Sequence, residues 1–333
     1  MKRMLSAVLF LAATAAAAEA AGPGTKYNPP RTKDGRPDLQ GVWNFATGVP
    51  LQRPVKFADR KVLTKEEFDQ QRAAFLKVLG LVAKFAPVEN VQLDWIDNRV
   101  YVEDLRSSLI TYPENGRLPA LVEGVRRTPG VEDIFAALGD ANGNPAALGA
   151  LTAGFAGGTK DSYSDFSSEQ RCLDSLPVPL VPQFADSYVQ IIQSSDSVAL
   201  VTDGERRIIP ITEQPLASTT LRTSLGISRG HWEGDTLVVE TKNFSRRTIG
   251  FAGAGNSRDK VVTERFTLTA EGLRYAATVV DPSTFKDRIE ISFPMARTDT
   301  RIYEAACHEG NYSLANSLSA SRKEDEARKA VQP

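Results

Sequence analysis

The chain holds only two histidines, and each stands beside a short turn carrying a glutamate and a glycine: His231 in His231-Trp232-Glu233-Gly234-Asp235, and His308 in Cys307-His308-Glu309-Gly310-Asn311. An imidazole with an ordinary pKa near ~6.5 takes up or releases a proton at neutral pH, and a neighbouring carboxylate orients the ring, so this pairing suits general acid/base chemistry. Asp235, Glu240 and Glu309 are the carboxylates placed to act on the two rings. The competing reading is structural, because histidines and acids beside turns often serve only to hydrogen-bond the loop. No close-spaced ligand pair accompanies either histidine, so no metal is expected. The chain also lacks GxGxxG, P-loop, HExxH and GxSxG patterns, so no cofactor is expected either.

The element that must position His231 is a hairpin over Leu225 to Phe244. A Gly234-Asp235 loop suits a two-residue turn whose first residue needs φ > 0. That loop sets Trp232 opposite Leu237 and Gly230 opposite Val239 on one face, with His231 opposite Val238 and Arg229 opposite Glu240 on the other. The alternative loop, Glu233-Gly234, would place Arg229 opposite Val238 and lose the Arg229–Glu240 complementarity. His308 falls at the end of a strand expected over 301–308. If the two turns gather at one end of the sheet, the histidines share a site walled by Trp43 and Trp232.

Further strand-like runs occupy 187–194, 197–203, 206–211, 260–269, 273–281 and 286–296, mostly joined by tight turns. A long meander with one apolar face tends to curl and close, which removes exposed edges. Earlier in the chain, Gly41-Val42-Trp43 on a first strand is similar to the opening of lipocalin-like barrels, where such a tryptophan plugs the closed end. Thr64 to Phe85 reads as a helix, with Thr64 and Glu67 forming a capping box ahead of apolar residues at helical spacing. Val100 to Tyr112 reads as one or two strands ending in the turn Pro113-Glu114-Asn115-Gly116, flanked by Arg106 and Arg117, which are either holders of an anionic ligand or plain surface arginines; Arg229 is a further substrate-binding candidate. The expected fold is therefore mainly β, an antiparallel meander closing into a lipocalin-like β-barrel with a few N-terminal and peripheral helices (60–86, 130–158, 314–330). The Ala/Gly-rich stretch 130–158 reads as an insert able to act as a lid.

With 333 residues and 41% hydrophobic content the chain has the material for a core, and disorder is not the default. Its 40 Lys plus Arg against 41 Asp plus Glu give no electrostatic case for a nucleic-acid partner. Lys2 and Arg3 precede an apolar run from Met4 to Ala18, and Ala18-Glu19-Ala20 fits a signal-peptidase site, so residues 1–20 read as a cleaved signal peptide and 21–333 as one periplasmic or secreted domain. No segment is long and apolar enough to read as a membrane span. In an oxidising compartment Cys172 and Cys307 are expected to form a disulfide in preference to acting as nucleophile or metal ligand.

The segments DGRPDLQGVWNF, RSSLITYPENGRLPAL, EQRCL, VQIIQSSDSVALV with RRIIPI, SRGHWEGDTLVVETKNF and IYEAACHEGNYSL resemble, in this order, a large family of exported bacterial proteins. The resemblance covers nearly the whole mature chain; the HWEGDTLVVET and ACHEGN motifs are its most specific parts. It implies one unit with a lipocalin-like barrel, and it brings no settled activity. Members of that family often carry a histidine just ahead of the Arg-Ile-Ile-Pro run, where this chain has Asp203-Gly204-Glu205, a departure that weakens any three-histidine metal site. Two functions follow as expectations. The first is an exported enzyme performing cofactor-free acid/base chemistry, of lyase, isomerase or hydrolase type, on a small, largely apolar molecule; the second is a carrier for such a molecule with no catalysis.

Overall fold

The computed structural model describes residues 27–57, 59–73, 103–127, 161–163, 166, 171–172, 178–182, 187–216, 220–245, 250–255, 258–304 and 306–331. Residues 1–20, the distal part of the Thr64 helix and the 130–158 insert lie outside them.

Ten strands form one antiparallel sheet: β1 (Gly41–Asn44), β2 (Ile110–Tyr112), β3 (Tyr188–Gln193), β4 (Ser197–Val201), β5 (Arg206–Pro210), β6 (Ile227–Glu233), β7 (Thr236–Lys242), β8 (Val261–Thr269), β9 (Gly272–Val280) and β10 (Ile289–Thr298). The order across it is β5-β4-β3-β1-β10-β9-β8-β7-β6, with β2 beside β10. The expected single meander is thus two meanders, β3 to β5 and β6 to β10, spliced by β1, which pairs with β3 on one side and β10 on the other. Strands β5 and β6 follow one another in the chain yet form the two edges. They meet at one parallel bridge, Ile211 with Gly230, where the Thr212 N–H donates to the Gly230 carbonyl at 2.8 Å. No ladder joins them among the described residues, so the sheet is not closed.

Two-residue periodicity explains the core. Along β10 the buried residues are Ile289, Ile291, Phe293 and Met295, and along β9 Leu273, Tyr275, Ala277 and Val279. Phe266, Tyr275 and Phe293 pack ring to ring at 5.1 and 4.9 Å in the middle of this face. The β6–β7 register is the one a Gly234-Asp235 loop demands, Trp232 opposite Leu237 and Arg229 opposite Glu240, with Gly234 at φ 58°. The capping box also forms: the Glu67 N–H donates to Thr64 Oγ1 at 3.2 Å and the Thr64 N–H to Glu67 Oε2 at 3.0 Å, opening helix α1 over 65–73.

The strand expected over 301–308 does not form among the described residues of that segment. Strand β10 has β9 on one flank and β1 and β2 on the other, so no free edge lies beside it for the next segment. Ala306 takes φ 44°, a left-handed value incompatible with extended pairing, and residues 307–310 form a turn. Cys307 is bonded to Cys172, as expected. Helix α2 (Ser313–Val331) follows, and no described helix is long and apolar enough to cross a membrane.

Candidate functional site

The inward-facing alternation that builds the apolar core carries five polar residues to one spot. Arg207 on β5, Ser228 on β6, Thr241 on β7, Glu264 on β8 and Tyr275 on β9 all point to the buried face. The Arg207 guanidinium donates from Nη1 to Glu264 Oε1 at 3.2 Å and from Nη2 to Glu264 Oε2, forming a two-pronged ion pair with side-chain exposures of 3% and 0%. It also donates from Nε to Ser228 Oγ at 2.9 Å and from Nη2 to Thr241 Oγ1 at 2.8 Å. The Tyr275 hydroxyl donates to Glu264 Oε1 at 2.9 Å and accepts from the Leu180 N–H at 2.9 Å.

Such a pair survives burial only because nearly every donor and lone pair is matched; desolvating two charges is otherwise unfavourable. Burial pushes the Tyr275 phenol well above its ordinary range, reinforced by the Glu264 charge beside it. The pair also reports on shape. Strands β5 and β8 are first and seventh in the sheet order, so contact between their side chains requires the sheet to curl over its apolar face.

A recess of about 360 Å³ opens where the two edge strands diverge from the Ile211–Gly230 bridge. Arg207 and Ser228 are buried polar residues of its lining; Arg206, Ile208, Pro210, Leu225 and Ile227 are among the others. Gly226 lies in its wall at φ 71°, and a Cβ there would come within 2.7 Å of Thr241 Cγ2, so the backbone approaches closely because no side chain intervenes.

The histidines lie elsewhere. His231 and Arg229 alternate with buried Ser228 and Gly230, so they occupy the opposite face of β6. The His231 partner is Glu233, at 3.3 Å from Nε2, and Glu233 in turn accepts from Arg265 Nη2 at 2.6 Å. Those bonds, Arg265 first, hold the Glu233 carboxyl below its usual range. His231 Nε2 faces Glu233, and the buried Nδ1 has no hydrogen-bond partner among the described residues. Arg229 approaches Glu240 at 3.7 Å, and Glu240 also meets Lys242 at 3.0 Å.

Asp235 is taken up by Arg31 of the N-terminal arm at 3.0 Å. His308 and Glu309 are exposed in the 307–310 turn, and no hydrogen bond or ion pair among the described residues links that turn to His231.

Trp43 is 2% exposed, donates Nε1–H to the Leu39 carbonyl at 2.9 Å and lies under the Arg297 guanidinium at 5.6 Å. It borders a second, smaller recess of about 250 Å³ with Asp38, Glu271 and Arg297. Trp232 packs partly buried against the core, with the Arg36 guanidinium 5.9 Å from its ring. Arg106 is committed to Asp104 and to the Ser292 carbonyl, bracing β10. Arg117 follows the Pro113–Gly116 turn, its N–H bonded to Asn115 Oδ1 at 3.0 Å.

Reasoning from the histidines missed the buried network, although one signal was present. The alternation in Val262, Glu264, Phe266 and Leu268 places a glutamate on an otherwise apolar strand face, and an acid there needs a buried partner. Arg207 gave no such signal: in Arg206-Arg207-Ile208-Ile209 both faces read as one arginine and one isoleucine.

Comparison with known proteins adds no identity: no family model matches the chain, and no curated protein matches it.

Proposed function

We propose that the protein is an exported, lipocalin-like carrier that seats a small molecule in the recess between β5 and β6. The observation that carries this reading is that Arg207 and Ser228, two members of the buried network centred on Glu264, line that recess. Ligand sites combine apolar walls with a few fixed polar groups, and this recess has both, in a volume at the small end of the usual ~300–1,000 Å³ range. The curl of the sheet and the burial of Trp43 support the lipocalin-like barrel; the charged and apolar start of the sequence and the Cys172–Cys307 disulfide support export. The motif resemblance supports membership of the exported bacterial family.

A screen of small amphiphiles against the purified mature protein, read by backbone amide shifts, tests the reading. Binding should perturb 206–210 and 223–228, and Ser228→Leu, which adds bulk at the lining, should abolish it. Binding at other residues, unaffected by Ser228→Leu, would remove the recess from the account.

A second reading, acid/base catalysis on a small apolar molecule, is favoured by one observation: the Nδ1 of His231, whose Nε2 meets Glu233, has no hydrogen-bond partner among the described residues. An imidazole held by a carboxylate on one nitrogen and free on the other has the arrangement of a general base. Its test is loss of turnover in His231→Gln without loss of folding.

A further inference from the structure

Beyond the Ile211–Gly230 bridge, no ladder among the described residues joins the two strand edges that border the recess. In β5 the Thr202 N–H to Glu205 carbonyl bond and the Ile211 N–H to Asp196 carbonyl bond set the alternation, so odd-numbered residues bond to β4 while Arg206 and Ile208 direct theirs to the free edge. In β6 the Gly234-Asp235 turn sets the same alternation against β7, and the Gly230 carbonyl, used by Thr212, shows that even-numbered residues face the free edge. The N–H groups of Ile208 and Ser228, with the carbonyls of the same residues, therefore turn toward the recess from its two sides.

The side-chain charge there has one sign. Arg206 and Arg207 are the charged residues of the lining. Glu264 neutralises Arg207 from behind, whereas Arg206 is exposed and makes no ion pair or side-chain hydrogen bond with a described residue. The remaining walls offer aliphatic surface from Ile208, Pro210, Leu225 and Ile227.

We infer that the recess takes a small organic carboxylate with an apolar body, its carboxylate held by the Arg206 guanidinium and the Ile208 and Ser228 N–H groups. This rests on the reading of the recess as a ligand seat and adds the charge class of what it seats. A planar guanidinium and paired N–H donors match the two oxygens of a carboxylate, and charge-assisted bonds of this kind are the stronger ones.

The test uses the full mature chain and three probes that share a ring system: 1-naphthoate, neutral 1-naphthamide and cationic 1-naphthylmethylammonium, titrated calorimetrically at low salt. The expected order is naphthoate at least tenfold tighter than the amide, with the amine weakest. Arg206→Gln should bring naphthoate to the affinity of the amide and leave the amide unchanged, while Arg206→Lys keeps part of the preference. Equal or tighter binding of the amide or amine, or a naphthoate preference that survives Arg206→Gln, overturns the carboxylate assignment and leaves the seat standing when amide shifts still map to 206–210 and 223–228. Absence of binding by all three probes overturns both.

Discussion

Arg207 and Glu264 face each other across the interior of a sheet in which their strands are first and seventh, and this one ion pair ties the edge strand β5 to the body of the β6–β10 meander. Each partner is buried, so the pair is tolerable only intact. Replacing Arg207 by Met leaves the Glu264 carboxylate without its counter-charge and is expected to destabilise the fold by about 3–5 kcal/mol in urea denaturation. Replacing Arg207 and Glu264 together by Met should recover most of that loss, because two apolar side chains leave no stranded charge. Equal destabilisation by the single and double variants would contradict the pairing.

Tyr275 makes the network sensitive to alkali. Its phenol is raised in the folded state, so the stabilisation is complete below the ordinary tyrosine value of about 10 and is lost as pH climbs above it toward the folded value, where the unfolded chain ionises first. Titration followed at 295 nm should show one of the eight tyrosines silent until the protein unfolds. Tyr275→Phe should remove that silent group.

The disulfide joins Cys172 and Cys307 across a sequence separation of 135. In the chain-entropy model a loop of that size stabilises by about 5 kcal/mol. Cys172→Ser and Cys307→Ser should lower the thermal midpoint equally, and reduction of the native protein should add nothing to either variant.

His231 occupies the face of β6 opposite Ser228 and Gly230, bonded to Glu233. His231→Ala is therefore expected to leave ligand affinity at the recess unchanged within about twofold, measured by the same amide-shift titration. A loss of tenfold or more would join the histidine to the ligand site and revive the acid/base reading.

Much of the sheet was legible because β-structure writes itself in period two. The β6–β7 register followed from Gly234-Asp235 and the Arg229–Glu240 complementarity, and Thr64 with Glu67 announced the start of α1. What could not be read was order across the sheet. Nothing local tells β1 to lie between β3 and β10, and that insertion makes β5 and β6 the two edges. The site was hidden for the same reason, since Arg207 and Glu264 are 57 residues apart and meet only once the sheet curls. His231 drew attention as a rare residue type, but its neighbour in space is Glu233, which local reading assigned only to the turn. The 301–308 segment has strand-like composition, yet β10 is flanked on both sides and the Cys307 bond holds the chain elsewhere.

Whether the divergence of β5 from β6 seats a ligand is decided by backbone amide shifts of the protein titrated with 1-naphthoate. A ligand seated there gives saturable shifts concentrated on Arg206 to Pro210 and Thr223 to Ser228, abolished by Ser228→Leu. Shifts centred on His231 and Glu233, or on Trp43 and Arg297, with the recess unmoved, would contradict it.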